Sequence, residues 1–382
     1  MKRKAVLLRS NPISPDPAVE KVASALLEKK CDVIIVGWDR ASKYDSVEEE
    51  IELPSGTAKV VRFGIPAVFS GGMKNLSALL RFQLRLRKWI KQHAEQIDVI
   101  YAFDFDTGFA VRKLAKKYKK KFVYHILDFY AASRFHSESF MYKFIRNREI
   151  SVINSADAVA ICSEGRKKQI EGSNPKHLEI IHNTPGYSET VFDNREKTSE
   201  KKMRIGYVGC FEKVRLLHEL LEYVMEDERL ELHIGGFGII EDYVKACSER
   251  CGRIIFYGKM PYKEALKLES SCDVMTAMYA PGIENHRFIA PNKLYEAMML
   301  GKPIILCKNT GWDELVLKEK IGVLIEPSKD GIKAGVEELF ARSEEWETMG
   351  RRSKELYNNS YSWDIMKKRI WNMYDALYPE EK

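Results

Sequence analysis

Short apolar runs alternate with helical patterns along this chain, and the alternation forms two separate series. In the first series the predicted strands are Ala5–Arg9, Asp32–Gly37, Val60–Phe63, Val99–Phe103, Phe122–Ile126, Ala158–Cys162 and Ile180–His182. In the second series they are Arg204–Val208, Leu230–Gly235, Ile254–Tyr257, Val274–Ala277, Ile304–Leu306 and Val323–Ile325. Because strands that alternate with helices form parallel sheets covered on both faces, the sequence predicts two Rossmann-like, doubly wound α/β domains facing a cleft.

A polar stretch separates the two series and supplies the domain boundaries. Residues 183–202 include Pro185 and Gly186, which are typical of a connecting segment. The sequence therefore predicts a first domain over residues 1–185, a linker over residues 186–202 and a second domain over residues 203–360. A C-terminal helix is predicted over residues 361–382. The helix is indicated by apolar side chains at helical spacing, namely Trp363, Ile370, Trp371, Tyr374 and Leu377.

Residues 290–305 are predicted to form a loop, a helix and the start of a buried strand. Pro291 suits the first helical turn, and Gly301 suits the left-handed residue that ends a helix. The N–H groups and dipole of a helix N-terminus attract an anion, and Lys293 adds positive charge there. Glu296, one turn further on, can accept hydrogen bonds from vicinal hydroxyls. The layout suits a nucleotide-sugar, although an ordinary capped helix with a solvated glutamate fits the same residues.

The same segment, Pro-Asn-Lys-Leu-Tyr-Glu-Ala-Met-Met-Leu-Gly-Lys-Pro-Ile, resembles the donor site of a known enzyme family. That family is the retaining glycosyltransferases of the GT-B fold, family four, and the likeness is greatest to the branch that builds bacterial surface polysaccharides. The resemblance implies that Asn292, Lys293 and Leu294 face the donor diphosphate and that Glu296 holds the nucleotide ribose. It also implies a last helix that crosses back to the first domain.

A second segment, Gly-Cys-Phe-Glu-Lys-Val-Arg over residues 209–215, resembles the family's phosphate-clamp loop, G-R-x-x-x-x-K-G. The resemblance implies donor binding by Gly209, Phe211, Lys213 and Arg215. Arg215 takes the place of the family's lysine and would neutralise the departing diphosphate without a metal ion. The alternative is that this arginine lies on the surface of a helix.

Two positions depart from the family pattern. Cys210 stands where relatives usually have arginine, so Lys213 or Lys293 would have to supply the second cation. Phe288 stands eight residues before Glu296, where many relatives carry a second glutamate. This second departure bears on recognition of the donor sugar more than on recognition of the nucleotide.

The segment His125–Asp128 closes a predicted strand of the first domain, where strand ends line the cleft. The resemblance implies a catalytic role near the reacting centre for Asp128, with His125 as the second candidate. A polar side chain there could orient the acceptor hydroxyl and take its proton. Strand alternation equally allows His125 to pack in the core. Asp104 and Asp106, at the end of the preceding strand, are lesser candidates on the acceptor side.

Positive charge is concentrated in the N-terminal half. Residues 1–195 carry 33 Lys/Arg and 23 Asp/Glu, a net charge of +10, whereas the remainder has a net charge of −3. Basic amphipathic helices over residues 81–91 and 112–121 would suit an anionic membrane surface that presents a polyprenyl-linked acceptor. Solvated helix faces are the alternative. Nucleic acid is not expected, because no helix-turn-helix, zinc-ligand or RNP-like pattern occurs.

The sequence indicates a cytoplasmic protein, peripheral on the inner face of the membrane if the basic surface binds lipid. No run of about 18 apolar residues occurs, and the opening run Ala5–Leu8 is too short for a signal peptide. The seven cysteines are scattered, which favours reduced thiols over a disulfide framework or a metal site. Residues 10–15 follow the first strand without any glycine, which excludes a nicotinamide-binding fingerprint.

These features together predict a metal-independent, retaining glycosyltransferase with no cofactor. Its donor is expected to be a nucleoside-diphosphate-sugar, UDP-linked as the first choice and GDP-linked as the second. Its acceptor is expected to be a glycan or a lipid-linked glycan. Two alternatives stay open: a non-hydrolysing nucleotide-sugar epimerase of the same fold, and a catalytically inactive nucleotide- or glycan-binding subunit, which Cys210 and Phe288 favour.

Overall fold

The computed structural model describes residues 2–13, 16–68, 72–186, 202–280 and 282–379, and gives only the backbone for residues 46–48 and 73. The chain divides into two compact units. Unit 1 comprises Met1–His182 with Met366–Lys382, and unit 2 comprises Asn183–Ile365. Each unit contains one sheet with helices on both faces, which confirms the predicted class of two Rossmann-like α/β domains. The predicted linker lies outside the described residues except at its two ends.

Unit 1 is built on an eight-stranded sheet. Its strands are β1 (Lys4–Leu8), β2 (Asp32–Asp39), β3 (Ser46–Leu53), β4 (Gly56–Gly64), β5 (Val99–Phe103), β6 (Lys121–Ile126), β7 (Ala158–Ile161) and β8 (Leu178–Ile180). The order across the sheet is β3-β4-β2-β1-β5-β6-β7-β8, and every pair is parallel except β3 with β4. The chain leaves β1 in one direction to β2 and later in the other direction to β5, so the switch point lies between β1 and β5.

Strand β3 was not predicted from the sequence, because its composition is acidic rather than apolar. It contains Glu49, Glu50 and Glu52 and forms the antiparallel edge of the sheet beside β4. Charged side chains on an edge strand discourage pairing with another chain. The strand has apolar alternation only over Glu50–Leu53, which is too short to stand out from the sequence, and it pairs with β4 through its backbone.

Helices cover both faces of the unit 1 sheet. They are α1 (Pro17–Glu28), α2 (Leu76–His93), α3 (Asp104–Lys117), α4 (Tyr130–Arg134), α5 (Phe140–Ile153), α6 (Arg166–Gln169) and α14 (Trp363–Ala376). Right-handed crossovers place α2, α3 and α5 on one face, because β4→β5, β5→β6 and β6→β7 all advance in the same direction. The step β1→β2 runs in the opposite direction, so α1 lies on the other face.

The C-terminal helix α14 packs on α1 in unit 1. The Trp371 indole donates a hydrogen bond to the Ala25 carbonyl at 2.8 Å, and Lys29 forms an ion pair with Asp375 at 2.8 Å. Ile370 of α14 is fully buried. From Met366 onward the last helix thus belongs to the first unit, as the family resemblance implies.

Unit 2 repeats the architecture with a six-stranded parallel sheet. Its strands are β9 (Met203–Phe211), β10 (Leu230–Gly238), β11 (Ile254–Phe256), β12 (Val274–Ala277), β13 (Ile304–Cys307) and β14 (Gly322–Ile325). Its helices are α7 (Leu217–Glu226), α8 (Glu241–Arg250), α9 (Tyr262–Ser271), α10 (Asn292–Leu300), α11 (Asp313–Glu319), α12 (Lys329–Ala341) and α13 (Trp346–Leu356). The strand order is β11-β10-β9-β12-β13-β14.

The strand order of unit 2 places a switch point between β9 and β12. From β9 the chain moves outward through β10 to β11, then returns to β12 and moves outward on the other side. Loops that follow β9 and β12 therefore diverge at the carboxyl edge, where ligands of open α/β sheets bind. Residues 209–215, the first segment singled out in the sequence, form the end of β9 and the turn after it, and residues 290–296 lie between β12 and β13.

No helix within the described ranges combines the length and the apolar composition that a membrane crossing needs.

Candidate functional site

Helix α10 presents its N-terminus just after the loop that follows β12. It begins at Asn292, with Pro291 in the N-cap position at φ −73° and ψ 125°. The Leu294 N–H donates to the Pro291 carbonyl at 3.0 Å. Proline has no side chain that could cap the amides of Asn292 and Lys293, so these two N–H groups suit an anionic ligand. The helix ends at Gly301 in the left-handed region at φ 63°, as the sequence predicts. The start differs from the prediction by a single position, since Pro291 precedes the first turn.

Lys293 lies between two buried carboxylates. Its ammonium is 2.8 Å from Glu269 Oε1 and contacts the carboxylate of Glu296. Glu296 also accepts a hydrogen bond from the Tyr262 hydroxyl at 2.8 Å. Because Glu296 is almost fully buried, the alternative of a solvated glutamate on an ordinary helix does not hold. Burial disfavours the charged ammonium, but the two carboxylates outweigh this effect and raise the pKa of Lys293.

Glu269, on α9, completes this group and was not among the predicted site residues. Burial raises its pKa to about 7, although the Lys293 charge acts in the opposite direction. Its Oε1 accepts the backbone N–H of Val208, near the end of β9, at 3.1 Å. Within the described residues its Oε2 is buried without a hydrogen-bond partner. Glu269 therefore links the end of β9 to the first turn of α10.

The loop after β9 brings Arg215 to the same edge of the sheet. Arg215 belongs to a 3-10 turn over Lys213–Arg215, so it does not lie on a surface helix. Its guanidinium lies 3.8 Å from the centroid of the Tyr279 ring, in the loop after β12. The Ala280 N–H donates to the Val214 carbonyl at 2.9 Å, which ties the two loops together.

The other predicted members of the loop differ in exposure. Phe211 is buried, whereas the Lys213 side chain is exposed. The Cys210 carbonyl accepts a hydrogen bond from the Tyr207 hydroxyl at 2.8 Å, and burial raises the pKa of its thiol. Position 210 therefore supplies a neutral thiol where relatives place a cation, and Lys213 is the exposed cation of this loop.

Close backbone approach explains the glycines at the ends of β9 and β10. A Cβ added to Gly236, at φ 136°, would lie 1.8 Å from the Gly209 carbonyl oxygen. A Cβ on Gly209 itself would lie 3.2 Å from the Tyr207 hydroxyl. Glycine at these positions keeps the two strands paired as far as the carboxyl edge, where the candidate site lies.

Asp128 and His125 of unit 1 have opposite environments. The Asp128 side chain is exposed, with its Oδ1 3.3 Å from the buried Arg166 guanidinium. His125 is buried, its Nδ1 is 2.9 Å from the Tyr101 hydroxyl, and its ring stacks on Phe103. Burial lowers the pKa of His125 to about 3, so the imidazole is neutral at physiological pH. The structure thus places His125 in the core, which is the alternative that strand alternation allowed.

A charged cluster lies at the switch point of unit 1. Arg9 forms an ion pair with Asp16 at 2.9 Å and contacts Asp104, whose Oδ1 accepts the Leu127 N–H at 2.8 Å. The Asp106 carboxylate accepts from the Ser10 hydroxyl at 3.1 Å. Asp104 and Asp106 therefore organise the loops after β1, β5 and β6. Arg9 and Asp16 were not predicted, although the place of Arg9 directly after β1 is a signal that could have found it. Asp16 caps the N-terminus of α1.

No three His, Cys, Asp or Glu side chains in the described part of the chain are grouped so as to hold a metal ion.

Two Rossmann-like α/β units in one chain are the architecture of the GT-B fold. Two family models match the sequence: Glycosyltransferase Family 4 over residues 18–184 and Glycosyl transferases group 1 over residues 188–356. This chain belongs to the family-four-like glycosyltransferases of the GT-B fold. No curated protein matches the sequence.

Solved structures share the fold at low sequence identity. Sucrose-phosphate synthase (tll1590) from Thermosynechococcus elongatus superposes with a TM-score of 0.77 at 15% identity, covering 99% of this chain and 100% of that one. Anabaena Alr3699/HepE in complex with UDP gives a TM-score of 0.71 at 14% identity, covering 98% and 100%. An E. coli structure titled trehalose-6-phosphate, bound with UDP-2-fluoro glucose, gives 0.72 at 10%, covering 98% and 99%.

Proposed function

We propose that this glycosyltransferase moves a sugar from a nucleoside-diphosphate-sugar to a hydroxyl of a glycan or lipid-linked glycan, with retention and without a metal ion. The observation that carries the proposal is the buried pair of Lys293 and Glu296 in the first turns of α10, at the switch point of unit 2. A buried carboxylate held in one orientation is suited to a sugar diol, and a helix N-terminus is suited to a diphosphate.

Departure of the nucleotide requires that charge on the diphosphate be neutralised. We assign this role to Arg215, to the first-turn amides of α10 and to Lys293. An ammonium group has three N–H donors, and the described partners of Lys293 are Glu269 and Glu296. A phosphate oxygen could take the third donor without breaking either contact. Asn292 and Leu294 supply backbone at the same turn, and Gly209 allows the β9 loop to approach.

The reacting centre is assigned to Asp128 because its carboxylate is exposed, whereas the imidazole of His125 is enclosed by aromatic rings. The Arg166 guanidinium lies 3.3 Å from its Oδ1 and forms an ion pair with it. A carboxylate in this position could orient the acceptor hydroxyl and accept its proton.

A UDP-linked donor is the first choice and a GDP-linked donor the second. Structures of Anabaena Alr3699/HepE with UDP and with UDP-glucose support a uridine nucleotide in this fold.

The proposal is tested by thermal shift and by nucleotide release. At a ligand concentration of 100 times Kd, binding to the native state alone stabilises it by about 2.7 kcal/mol, so UDP should raise Tm. Glu296→Gln removes a charged hydrogen-bond acceptor, worth about 1.5–3 kcal/mol, and should weaken UDP binding roughly 10- to 100-fold. The matched control is Glu314→Gln, on the exposed face of α11. Unchanged UDP binding and turnover in Glu296→Gln would contradict the site assignment.

The second candidate, a nucleotide-binding subunit without transferase activity, is favoured by Cys210 and Phe288. Release of UDP from UDP-glucose separates the two functions, because even slow hydrolysis requires a working donor site. A protein that binds UDP tightly but releases none from any UDP- or GDP-sugar, with or without membrane extract as acceptor source, would favour the inactive subunit. An epimerase would instead convert the donor sugar with no acceptor present.

A further inference from the structure

Asp128 lies on a short segment between β6 and α4, and two carboxylates hold this segment from its two ends. The first is Asp104, at the beginning of α3. Its Oδ1 accepts the N–H of Leu127 at 2.8 Å and that of Asp128 at 3.1 Å. Asp104 has a left-handed backbone at φ 58°, which is unfavourable for an L-residue other than glycine. The end of β5 thus carries backbone strain at the residue that fixes the start of the segment.

Glu149 of α5 holds the other end of the segment. Its Oε1 accepts the N–H of Tyr130 at 3.0 Å, and its Oε2 accepts the N–H of Ala131 at 3.2 Å. Phe129, the residue before α4, is apolar and gives that helix no side-chain cap. A carboxylate 18 residues beyond Ala131 therefore does what the N-cap residue of a helix usually does.

Both oxygens of the Glu149 carboxylate are needed to hold the two amides. The side chain is fully buried, and its third donor is the Tyr124 hydroxyl, 3.2 Å from Oε1. Burial raises the pKa of Glu149 to about 8, whereas the donated hydrogen bonds act in the opposite direction. A carboxamide has a single acceptor oxygen, so glutamine at this position could hold only one of the two amides.

The Asp128 side chain is exposed although the backbone around it is held. The side chain is 62% exposed, and its Oδ1 lies 3.3 Å from the Arg166 guanidinium. The carbonyl of the preceding residue, Leu127, accepts a hydrogen bond from the Cys162 thiol at 3.3 Å. Catalytic groups need to be held within about 0.5 Å of the productive geometry, and supporting hydrogen bonds of this kind provide that precision.

We propose that Glu149 is a positioning residue for the transfer reaction, and that it holds the backbone at Tyr130 and Ala131 so that the Asp128 carboxylate keeps one place relative to the acceptor hydroxyl. The inference rests on the proposed function, which assigns Asp128 to the reacting centre. Glu149 is 0% exposed, so it acts through Asp128 and does not touch a substrate. Asp104 holds the other end of the segment but also pairs with Arg9, which makes Glu149 the better residue to test.

The alternative is that Glu149 only stabilises the fold as a cap of α4. In that case Glu149→Gln lowers Tm but leaves the kcat of the folded protein unchanged. A positioning role predicts instead that kcat falls while the KM for the donor is kept, because the assigned donor residues belong to unit 2.

The test measures UDP release from UDP-glucose with membrane extract as the acceptor source. The assay is run at about pH 9, above the pKa of Glu149, so that its carboxylate is charged. Glu149→Gln is expected to lower kcat about tenfold or more, because small displacements of a catalytic group are costly, and to change the KM for UDP-glucose by less than about twofold. Amide hydrogen exchange over residues 127–131 should become faster.

Two control variants separate loss of the held amides from other effects. Tyr124→Phe removes the third donor to the same carboxylate but leaves both amides held, so kcat should stay within about twofold of wild type. Val22→Ala removes buried apolar atoms from α1, on the other face of the sheet, and should lower Tm without lowering kcat.

The double variant Asp128→Asn with Glu149→Gln shows whether Glu149 acts through Asp128. Its kcat should equal that of Asp128→Asn alone, since no carboxylate is then left to be positioned. A further tenfold loss in the double variant would show that Glu149 acts elsewhere and would overturn the inference.

The single variants distinguish failure of this inference from failure of the proposed function. Wild-type kcat in Glu149→Gln, or an equal loss of kcat in Tyr124→Phe, would overturn the positioning role and leave the assignment of Asp128 intact. A fully active Asp128→Asn protein would overturn that assignment and the positioning role together. So would a wild-type protein that turns over no UDP- or GDP-sugar.

Discussion

At the scale of single residues, the candidate donor site depends on a lysine shared by two carboxylates. Removing one partner of a buried ion pair commonly costs about 3–5 kcal/mol, since the remaining charge is left uncompensated. Lys293, Glu269 and Glu296 are all buried or nearly so, and Glu269 has an oxygen without a described partner. A buried cation shared by two carboxylates supports the proposal that this group binds a ligand.

Replacing Glu269 with glutamine should change how stability depends on pH. The folded-state pKa of Glu269 is raised to about 7 from an ordinary value of 4.5, so between these values the native state keeps a proton that the unfolded chain has lost. This group alone makes stability fall as pH rises through that window, by at most about 1.4 kcal/mol per pH unit. Glu269→Gln should flatten that fall.

The measurement is urea unfolding across the same pH window. His125 gives stability the opposite dependence on pH. Its pKa is lowered in the folded state, so stability falls as pH drops below the ordinary histidine range, where the unfolded chain binds a proton that the native state does not. The difference between wild type and Glu269→Gln cancels this contribution. The control is Glu264→Gln, an exposed position on the same helix. A pH profile of Glu269→Gln parallel to that of the wild type would show that the carboxyl group titrates normally.

Asp128 and His125 can be separated by one substitution each. Asp128→Asn keeps the side-chain shape and removes the charge, and transfer should fall by about 100-fold or more if the carboxylate orients or deprotonates the acceptor. His125→Phe preserves a ring among Tyr101 and Phe103 and should leave transfer within a few-fold of wild type. Both variants should keep the UDP thermal shift, since the assigned donor residues belong to unit 2.

Product formation with a fixed donor concentration checks this prediction, with Glu138→Gln as the control at an exposed acid of unit 1. The reverse pattern, an active Asp128→Asn protein beside an inactive but folded His125→Phe protein, would move the reacting centre to the histidine.

At the scale of elements, the ends of α10 are fixed by different means. Its beginning is set by Pro291, whose ring cannot continue a helix backward, and its end by the left-handed conformation of Gly301. The same helix carries Lys293 and Glu296 near its start and packs Leu294, Tyr295 and Met298 into the core of unit 2. Because Lys293 and Glu296 lie in the first turns, the position of Pro291 fixes both charged groups on the helix.

Gly301→Ala should destabilise the protein by roughly 1 kcal/mol or more, because L-residues other than glycine pay for left-handed backbone. A Cβ at this position would also lie 3.2 Å from the Gly350 carbonyl oxygen. Gly252→Ala is the control, since its Cβ would meet no atom within 4 Å. Urea unfolding of the two variants at one pH measures the difference, and equal stability would show that the end of α10 can relax without cost.

At the scale of the whole molecule, the sequence predicted the fold well because the alternation of apolar strands with helices is repeated many times along the chain. Thirteen apolar strands in two alternating series reappear in the two sheets, with shifts of a few residues at their ends. The acidic strand β3 was missed because it lacks that signal. The C-terminal helix was assigned to the first unit by resemblance, and its hydrogen bond to Ala25 bears this out.

Only some residues of the candidate site were predicted from the sequence. The predicted ones are close together along the chain, and the missed ones are far from them in sequence. Lys293 and Glu296 are neighbours on one helix, so their spacing reveals them. Glu269 and Tyr262 lie on α9 and reach the site only because β12 returns to the centre of the sheet beside β9. A glutamate inside a helix that packs on a parallel sheet is a weak signal, since most such glutamates face water.

The shared lysine also constrains how this protein can diverge or be redesigned. Replacing Lys293 alone would leave two buried carboxylates facing each other without a cation. Replacing either glutamate alone would remove one of the two partners that neutralise the buried lysine. Positions 269, 293 and 296 are therefore expected to be inherited together. A mutant library that includes any of these three positions should randomise all three codons jointly or leave all of them untouched.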